Sequence, residues 1–535
     1  MNGRRILTLL LALSPLPLLA QEPSGVILRL HLDPVRLSGS GEVVLQDVWS
    51  SEDRVTLIGA DGQEMPVKLE DGFGMPDALA SLEAEEGQVF TARRNEEYAG
   101  TGAVKNGLLD ISLTHLSSFV LLDPARLGVS KVELAALGAE SPFDHRTLDL
   151  PAGGMLLSMA PDAGELALLS RDTTSLRSSV LTPGEAGICL APGPLPDPWV
   201  SLVSGPQAVT YQTRNLSNGN GYKPGEYSGI TPIGENRYAL VHNGARGGGI
   251  YFATIPFSGG RIGTVTIEAA PGTEEARDVR DPEGIAFMPS TGTLWVSGEK
   301  DQQILEYDLD GRPTGRRMAV PPGFAPGDLS TVNGFEALSY SPGTGLMWTV
   351  TEEPLKRDAE WFPSGEGQRI LRLLCFDGNT LQPVRQRFYA MDAPRHTSVK
   401  GDTYVHGVSD LLALDDGTLL VLEREVYVPA FNSSDNASML LMLGSAATHT
   451  KLYLVDPASS REALLSKQLV KEFDTRFPGP VSLFFGADPV LANYEGMCLG
   501  PVLDGHLSIL MVNDSERGKG NSYARLRDYI KVLVF

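Results

Sequence analysis

The chain has 535 residues, more than one hydrophobic core ordinarily serves, so two or more domains are expected. It carries 44 Lys and Arg against 66 Asp and Glu, a formal charge of -22, which argues against nucleic acid as a partner. Such a carboxylate excess suits solubility and cation binding, and a solvated acidic surface is its commonest cause.

Residues 1–20 read as a secretory leader: Arg4 and Arg5, an apolar run from Ile6 to Leu13, and small Ala20 before Gln21. That run is too short to span a bilayer, and no later stretch is long enough either, so an exported protein with no membrane span after leader cleavage is expected. Its compartment is the periplasm, the medium or the cell surface.

Residues 21–127 carry short alternating runs, VILRLHL, EVVLQDV and RVTLIGA, and end in LLDISLTHLSSFVLL. This is the pattern of a small β-sandwich; within it, Met75 to Glu85 reads as one or two helical turns. Residues 128–204 hold a strand pair, GMLLSMA and ELALLSRD, and close on the Pro-rich linker APGPLPDP.

From 205 to 535 one hairpin recurs. The repeats are SGITPIGENRYALVHN, PEGIAFMPSTGTLWVSGE, GFEALSYSPGTGLMWTVTE, VSDLLALDDGTLLVLERE and YEGMCLGPVLDGHLSILMVND. Third strands follow in QILEYDLDG, RILRLLCFDG and KLYLVDP. Four short strands per unit, radially repeated, make a propeller blade. Roughly 330 residues hold about six blades at this repeat length. Five hairpins are visible, so the sixth blade is either degenerate or built partly from GMLLSMAPDAGELALLSRD. The fold class is all-β, and the last strand, YIKVLVF, is expected to close the ring against AVTYQTR.

Both outer ends of each hairpin are polar. They are Glu283 with Glu299, Glu336 with Glu352, Asp410 with Glu423 and Glu495 with Asp514, while the first repeat has Ser228 with His242 and Asn243. In an antiparallel hairpin these ends meet at one edge. Oxygen ligands without soft ones favour Ca2+ over zinc or copper. The reading gives metal ligation to Glu283, Glu299, Glu336, Glu352, Asp410, Glu423, Glu495, Asp514 and Asn243. Glu336, Glu495 and Asp410 double as catalytic candidates, with His242 and His406 as proton carriers. Lys300, Arg424, Arg246 and Lys223 lie beside these positions and would hold an anionic substrate. The competing reading is structural: each acid accepts backbone N–H bonds from a neighbouring blade. Cys375 and Cys498 sit in apolar runs as small buried hydrophobes. With Cys189 they form no disulfide framework, and no zinc cluster, P-loop or hydrolase elbow is present.

The motifs DPEGIAF with VSGE, NGFEALSYSP with TVTEE, GVSDLLALDDGTLLVLERE, and NYEGMCLGP with MVNDSE resemble the secreted phytase-like family, described by its esterase-like activity of phytase. The resemblance covers about Gly205 to Phe535. It implies a β-propeller whose acidic mouth binds calcium and cleaves a small anionic ester, most specifically a phosphoric ester. Gly298 before Glu299, and His242 with Asn243 in the first repeat, depart from the pattern. A propeller lactonase and a non-catalytic ligand-binding propeller at the cell surface are the alternatives. Aromatics at the mouth, such as Trp361, Phe362 and Tyr427, would favour the latter.

Overall fold

A computed structural model describes residues 25–37, 43–137, 145–161, 164–171, 176–184, 187–188, 210–215, 226–243, 249–258, 261–272, 280–361, 369–430, 445–457, 463–476, 491–503, 505–521 and 524–534. The expected leader and the Pro-rich linker lie outside them. The described chain forms two compact units.

The N-terminal unit is built on a seven-stranded, curled sheet. Alternation in its first strand, Gly25–Leu32, drives the folding: Val26, Leu28, Leu30 and Leu32 are buried while Ile27 and Arg29 face outward. The inward set packs on Trp49, Leu57, Phe90 and Ile111. Residues Asp77–Glu83, expected as helical turns, are a strand paired antiparallel with Gly25–Leu32. Their period of two, Ala78 and Ala80 buried between exposed neighbours, outweighs their helical propensity.

The second unit contains five four-stranded blades. Blade 1 is Tyr227–Gly234, Arg237–His242, Gly249–Thr254 and Thr266–Ala269; blade 2 is Pro282–Met288, Thr293–Gly298, Gln303–Tyr307 and Pro313–Arg317. Blade 3 is Phe335–Ser341, Leu346–Thr351, Ile370–Asp377 and Pro383–Ala390; blade 4 is Thr403–Ala413, Leu419–Val428, Ala447–Val455 and Gln468–Arg476. Blade 5 is Tyr494–Leu499, Ser508–Asn513 and Tyr529–Val534, completed by Thr210–Asn215. That last pairing, Thr210 with Val534 through Asn215 with Tyr529, is the closure expected from the sequence. It covers an edge that would otherwise be open.

Five apolar clusters lie between successive blades, and they close the circle. Alternate residues of one strand serve two neighbours: Trp295 packs toward Phe335 and Met347 of blade 3, whereas Leu294 and Val296 pack toward Val241 and Ile250 of blade 1. Further clusters join blades 3 and 4, 4 and 5, and 5 and 1. The propeller therefore has five blades among the described residues, where about six were expected. The residues offered for a sixth go elsewhere. Met155–Met159 belongs to a small sheet with Ser118–Leu122, and Leu166–Arg171 joins Lys131–Ala136, His145–Asp149 and Leu176–Leu181 in a separate sheet. That separate sheet packs Ala135, Ala167 and Leu169 on Ile370, Phe388 and Ala463.

Candidate functional site

The first strand of every blade carries a bulge at the same place, breaking its register after Tyr227, Pro282, Phe335, Val408 and Tyr494. A bulge re-aims the extra residue and ends regular pairing there. The extra residues are Ser228, Glu283, Glu336, Ser409 and Glu495. The residue after each is small in four blades, Gly229, Gly284, Ala337 and Gly496, because the first strands nearly touch: a Cβ on Gly284 would lie 2.3 Å from the Leu338 nitrogen.

A second ring follows from the partner strands. Opposite the residue before each bulge stand His242, Gly298, Thr351, Glu423 and Asn513. One residue further on come Asn243, Glu299, Glu352, Arg424 and Asp514. In four blades this residue's N–H donates to the carbonyl two positions before the bulge, at Glu226, Asp281, Gly334 and Asn493. All five second-ring side chains, with Glu283, Glu336 and Glu495 from the first ring, line one cavity of about 580 Å³.

The carboxylates crowd together. One oxygen each from Glu283, Glu336 and Glu495 lie within 4.8 Å of one another, as do one each from Glu299, Glu336 and Glu352, and from Asp281, Glu283 and Glu299. Burial, then the charges of Glu352, Glu283 and Glu495, pushes Glu336 well above the usual carboxylate range; burial with Glu299 and Glu495 does the same to Glu283. Burial followed by Glu352 takes Glu299 to about 8, and burial followed by Asp514 takes Glu495 to about 8 despite Arg424. Asp514 rises to about 7, from burial and Glu226.

Partners hold the ring in place. Asn243 Nδ2 donates to both Glu283 oxygens, at 3.1 and 3.2 Å, and to Asp514 Oδ2 at 3.4 Å. Asn333 Nδ2 donates to Glu352 at 2.5 Å, and Asn493 Nδ2 to Glu495 at 2.6 Å. Arg424 Nη2 donates to Glu495 Oε1 at 3.0 Å. It also lies 2.6 Å from Glu352 Oε1, off the direction of a hydrogen bond, so this buried oxygen is ion-paired yet has no hydrogen-bond partner. The donor set is hard oxygen throughout, with an unmet carboxylate oxygen inside it, and such a set fits a hard divalent cation.

Two expected ligands fall outside this cavity. Asp410 is one residue past the bulge, so Ser409 holds the ring position; buried Asp410 instead accepts the N–H groups of Leu411 at 2.8 Å and Met497 at 2.5 Å, tying blade 4 to blade 5. Glu423 accepts from Tyr389 Oη and Lys467 Nζ, both at 2.6 Å, and from the Asp392 N–H at 3.0 Å. Each stands one residue from the ring position, which Ser409 and Arg424 fill, and Thr403–Ala413 and Leu419–Val428 run on past the ring, pairing to Thr403 with Val428. That extension brings Tyr404, Val405 and His406 onto the cavity wall.

His406 is thus at the cavity, and burial, then Arg369, depresses it to about 4, so it is neutral at pH 7. His242 instead packs edge-on against Tyr227 and Tyr251. Lys300 is exposed and paired with Asp281 at 2.9 Å. Arg246, Lys223 and Phe362 lie outside the described residues, as does the Trp361 side chain. Tyr427 is not on this wall but stacks on His396, centroids 4.4 Å apart. Sequence reading missed Asp281, Asn333, Asn493, Arg369 and Tyr404. Asp281 and Asn493 had one available signal, standing two residues before a ring glutamate. Cys375 and Cys498 are buried, as expected, and burial raises the Cys375 thiol to about 12.

A closed propeller with a carboxylate-ringed mouth defines the class. Residues 223–516 match the family described as "Phytase-like: Esterase-like activity of phytase", and the chain belongs to it. No curated protein matches the chain. Similar solved structures include the α-L-arabinofuranosidase PaAbf62A of Podospora anserina, 9% identical over 61% of this chain and 96% of that one, with TM-score 0.31. Another is a structural genomics protein of Bacteroides thetaiotaomicron, 9% identical over 82% and 94%, TM-score 0.28. A third is the Cps50 (Swd1) β-propeller domain of Myceliophteria thermophila, 8% identical over 60% and 99%, TM-score 0.23.

Proposed function

We propose that this protein is an exported hydrolase of small anionic esters, phosphoric esters foremost, and that it depends on Ca2+ held in the propeller mouth. The observation that carries this reading is the convergence of Glu283, Glu336 and Glu495 from three blades, within reach of Glu299. Like charges so close cannot all ionise without a cation. Glu283, Glu299 and Glu336, with Asp281 beside the first two, would hold it. Bound there, Ca2+ would offset ester charge and lower the pKa of a water.

The chain's own residues divide the remaining work. Glu495, fixed by Asn493 and Arg424, stands on the cavity wall and is placed to pass a proton to a leaving oxygen. Neutral His406 offers an imidazole on the cavity wall as a proton acceptor. Arg369 and Lys519 also line the cavity, paired with Glu353 and Glu516. Family membership supports ester chemistry, and the leader-like residues 1–20 support export. No helix among the described residues is long and apolar enough to cross a membrane.

A non-catalytic binding propeller is the second reading, favoured by Arg424, which partly neutralises the ring without any metal. Assays with a chromogenic phosphate monoester, a carboxylate ester and a lactone, each with Ca2+ or chelator, separate the two. Ca2+-dependent turnover that Glu495→Gln abolishes supports the hydrolase. Ca2+ binding with no turnover of any substrate supports the binding module.

A further inference from the structure

Four of the five second-ring positions carry oxygen donors, Asn243, Glu299, Glu352 and Asp514, and the fifth carries Arg424. We propose that Arg424 is a fixed, protein-borne cation standing where a further divalent ion would otherwise bind, so that it limits how many ions the mouth accepts. This rests on the reading of the mouth as a cation site and deepens it.

Its bonding is unlike that of a structural arginine. Buried Arg372 forks onto a single carboxylate, Nε to Asp358 Oδ2 at 2.5 Å and Nη2 to Oδ1 at 2.6 Å, and adds Gln386 at 3.1 Å. This is the geometry that makes arginine hard to replace. Arg424 instead sends one nitrogen, Nη2, among Glu352, Glu495 and Glu336, at 2.6, 3.0 and 3.8 Å. Its Nε and Nη1 have no hydrogen-bond partner, although the residue is only 3% exposed. The guanidinium therefore serves the ring as a point charge, not as a fork.

Two further observations mark the place as a ligand position. Glu352 is 4% exposed, lines the cavity, and leaves Oε1 without a hydrogen bond. Gly407 lies between the two side chains: a Cβ there would come within 2.4 Å of Glu352 Cγ and 3.1 Å of Arg424 Nη1. Removing the positive charge leaves Glu336, Glu352 and Glu495 facing one another, an oxygen set of the kind that takes Ca2+.

The test is calorimetric titration of the chelator-treated chain with CaCl2 for wild type, Arg424→Lys, Arg424→Gln and Arg424→Glu. Lys keeps the charge and should leave affinity within about threefold, whereas Gln should tighten binding by about tenfold or more through lost repulsion. Glu should add one bound ion. Unchanged stoichiometry and affinity in both Gln and Glu variants would overturn the proposal while leaving the metal reading intact. Binding by the Glu variant alone, with none by wild type, would uphold Arg424 as the excluding charge and refute the wild-type metal site. No binding by any variant would refute both. If the Glu variant fails to fold by circular dichroism, the Lys and Gln pair decides: equal affinities reject the proposal.

Discussion

Glu352 and Arg424 occupy the same ring position in adjacent blades, with Oε1 2.6 Å from Nη2 and Gly407 between them. The pair exists because blade 4 has no side chain at residue 407. Gly407→Ala should force both residues aside and destabilise the propeller by about 2 kcal/mol, as overpacking does. Urea unfolding measures this, and a change within about 0.5 kcal/mol, the range of an inert surface substitution, would show the space to be larger than described.

Acid–base linkage gives a second expectation. Glu299 and Glu495 sit at about 8 and Asp514 at about 7 when folded, above their ordinary 4.5 and 3.8. The folded state therefore holds more protons than the unfolded one across that interval, and the stability they contribute is lost as pH rises through the folded values. His406 works in the other direction: lowered to about 4, its contribution is lost as pH falls below the ordinary 6.5. Between pH 6.5 and 8 the raised carboxyls dominate. In chelator, Tm should fall across this window, and Ca2+ should flatten the fall. A Tm that is level or rising in chelator would contradict the buried, uncompensated acids.

The buried pair of Arg372 with Asp358 docks the helix Lys356–Trp361 on blade 3. Asp358→Ala leaves a guanidinium buried without its carboxylate and should cost about 3–5 kcal/mol. Arg372→Met with Asp358→Leu should recover most of that loss. Denaturant midpoints for the single and double variants check both statements, and a single-variant cost under about 1 kcal/mol would mean that water reaches the site.

What was legible in the sequence followed from periodicity. Alternating runs with Gly turns identified the hairpins, and the terminal YIKVLVF identified the closing strand. Glu283, Glu336 and Glu495 were found because each is the polar outer end of a repeated hairpin, whose two ends meet at one edge. Asp410 was misplaced by one residue, since it is the acid of its hairpin end yet stands where the other blades have Gly or Ala, and a slip of one turns a side chain to the other face. Arg424 was read as a neighbour of the ring, not a member, because blade 4 has longer strands and Glu423 looked like their end. Blade number was overestimated from length, as the connections between strands and blades make the five repeats longer than the ordinary repeat. Asn333 and Arg369 lie on loops and blade ends whose approach to the mouth depends on tertiary packing.

Whether Glu283, Glu299 and Glu336, from blades 2 and 3, hold Ca2+ decides between an ion seat and blade junctions. Calorimetric titration of the chelator-treated wild type against Glu283→Gln with Glu336→Gln tests it most directly, because the amides keep size and most hydrogen bonding while removing two charges. Saturable Ca2+ binding by the wild type is expected, weakened by about 100-fold in a double variant that remains folded. No Ca2+ heat from the wild type, or equal affinity in the double variant, would contradict it and return these acids to the blade junctions.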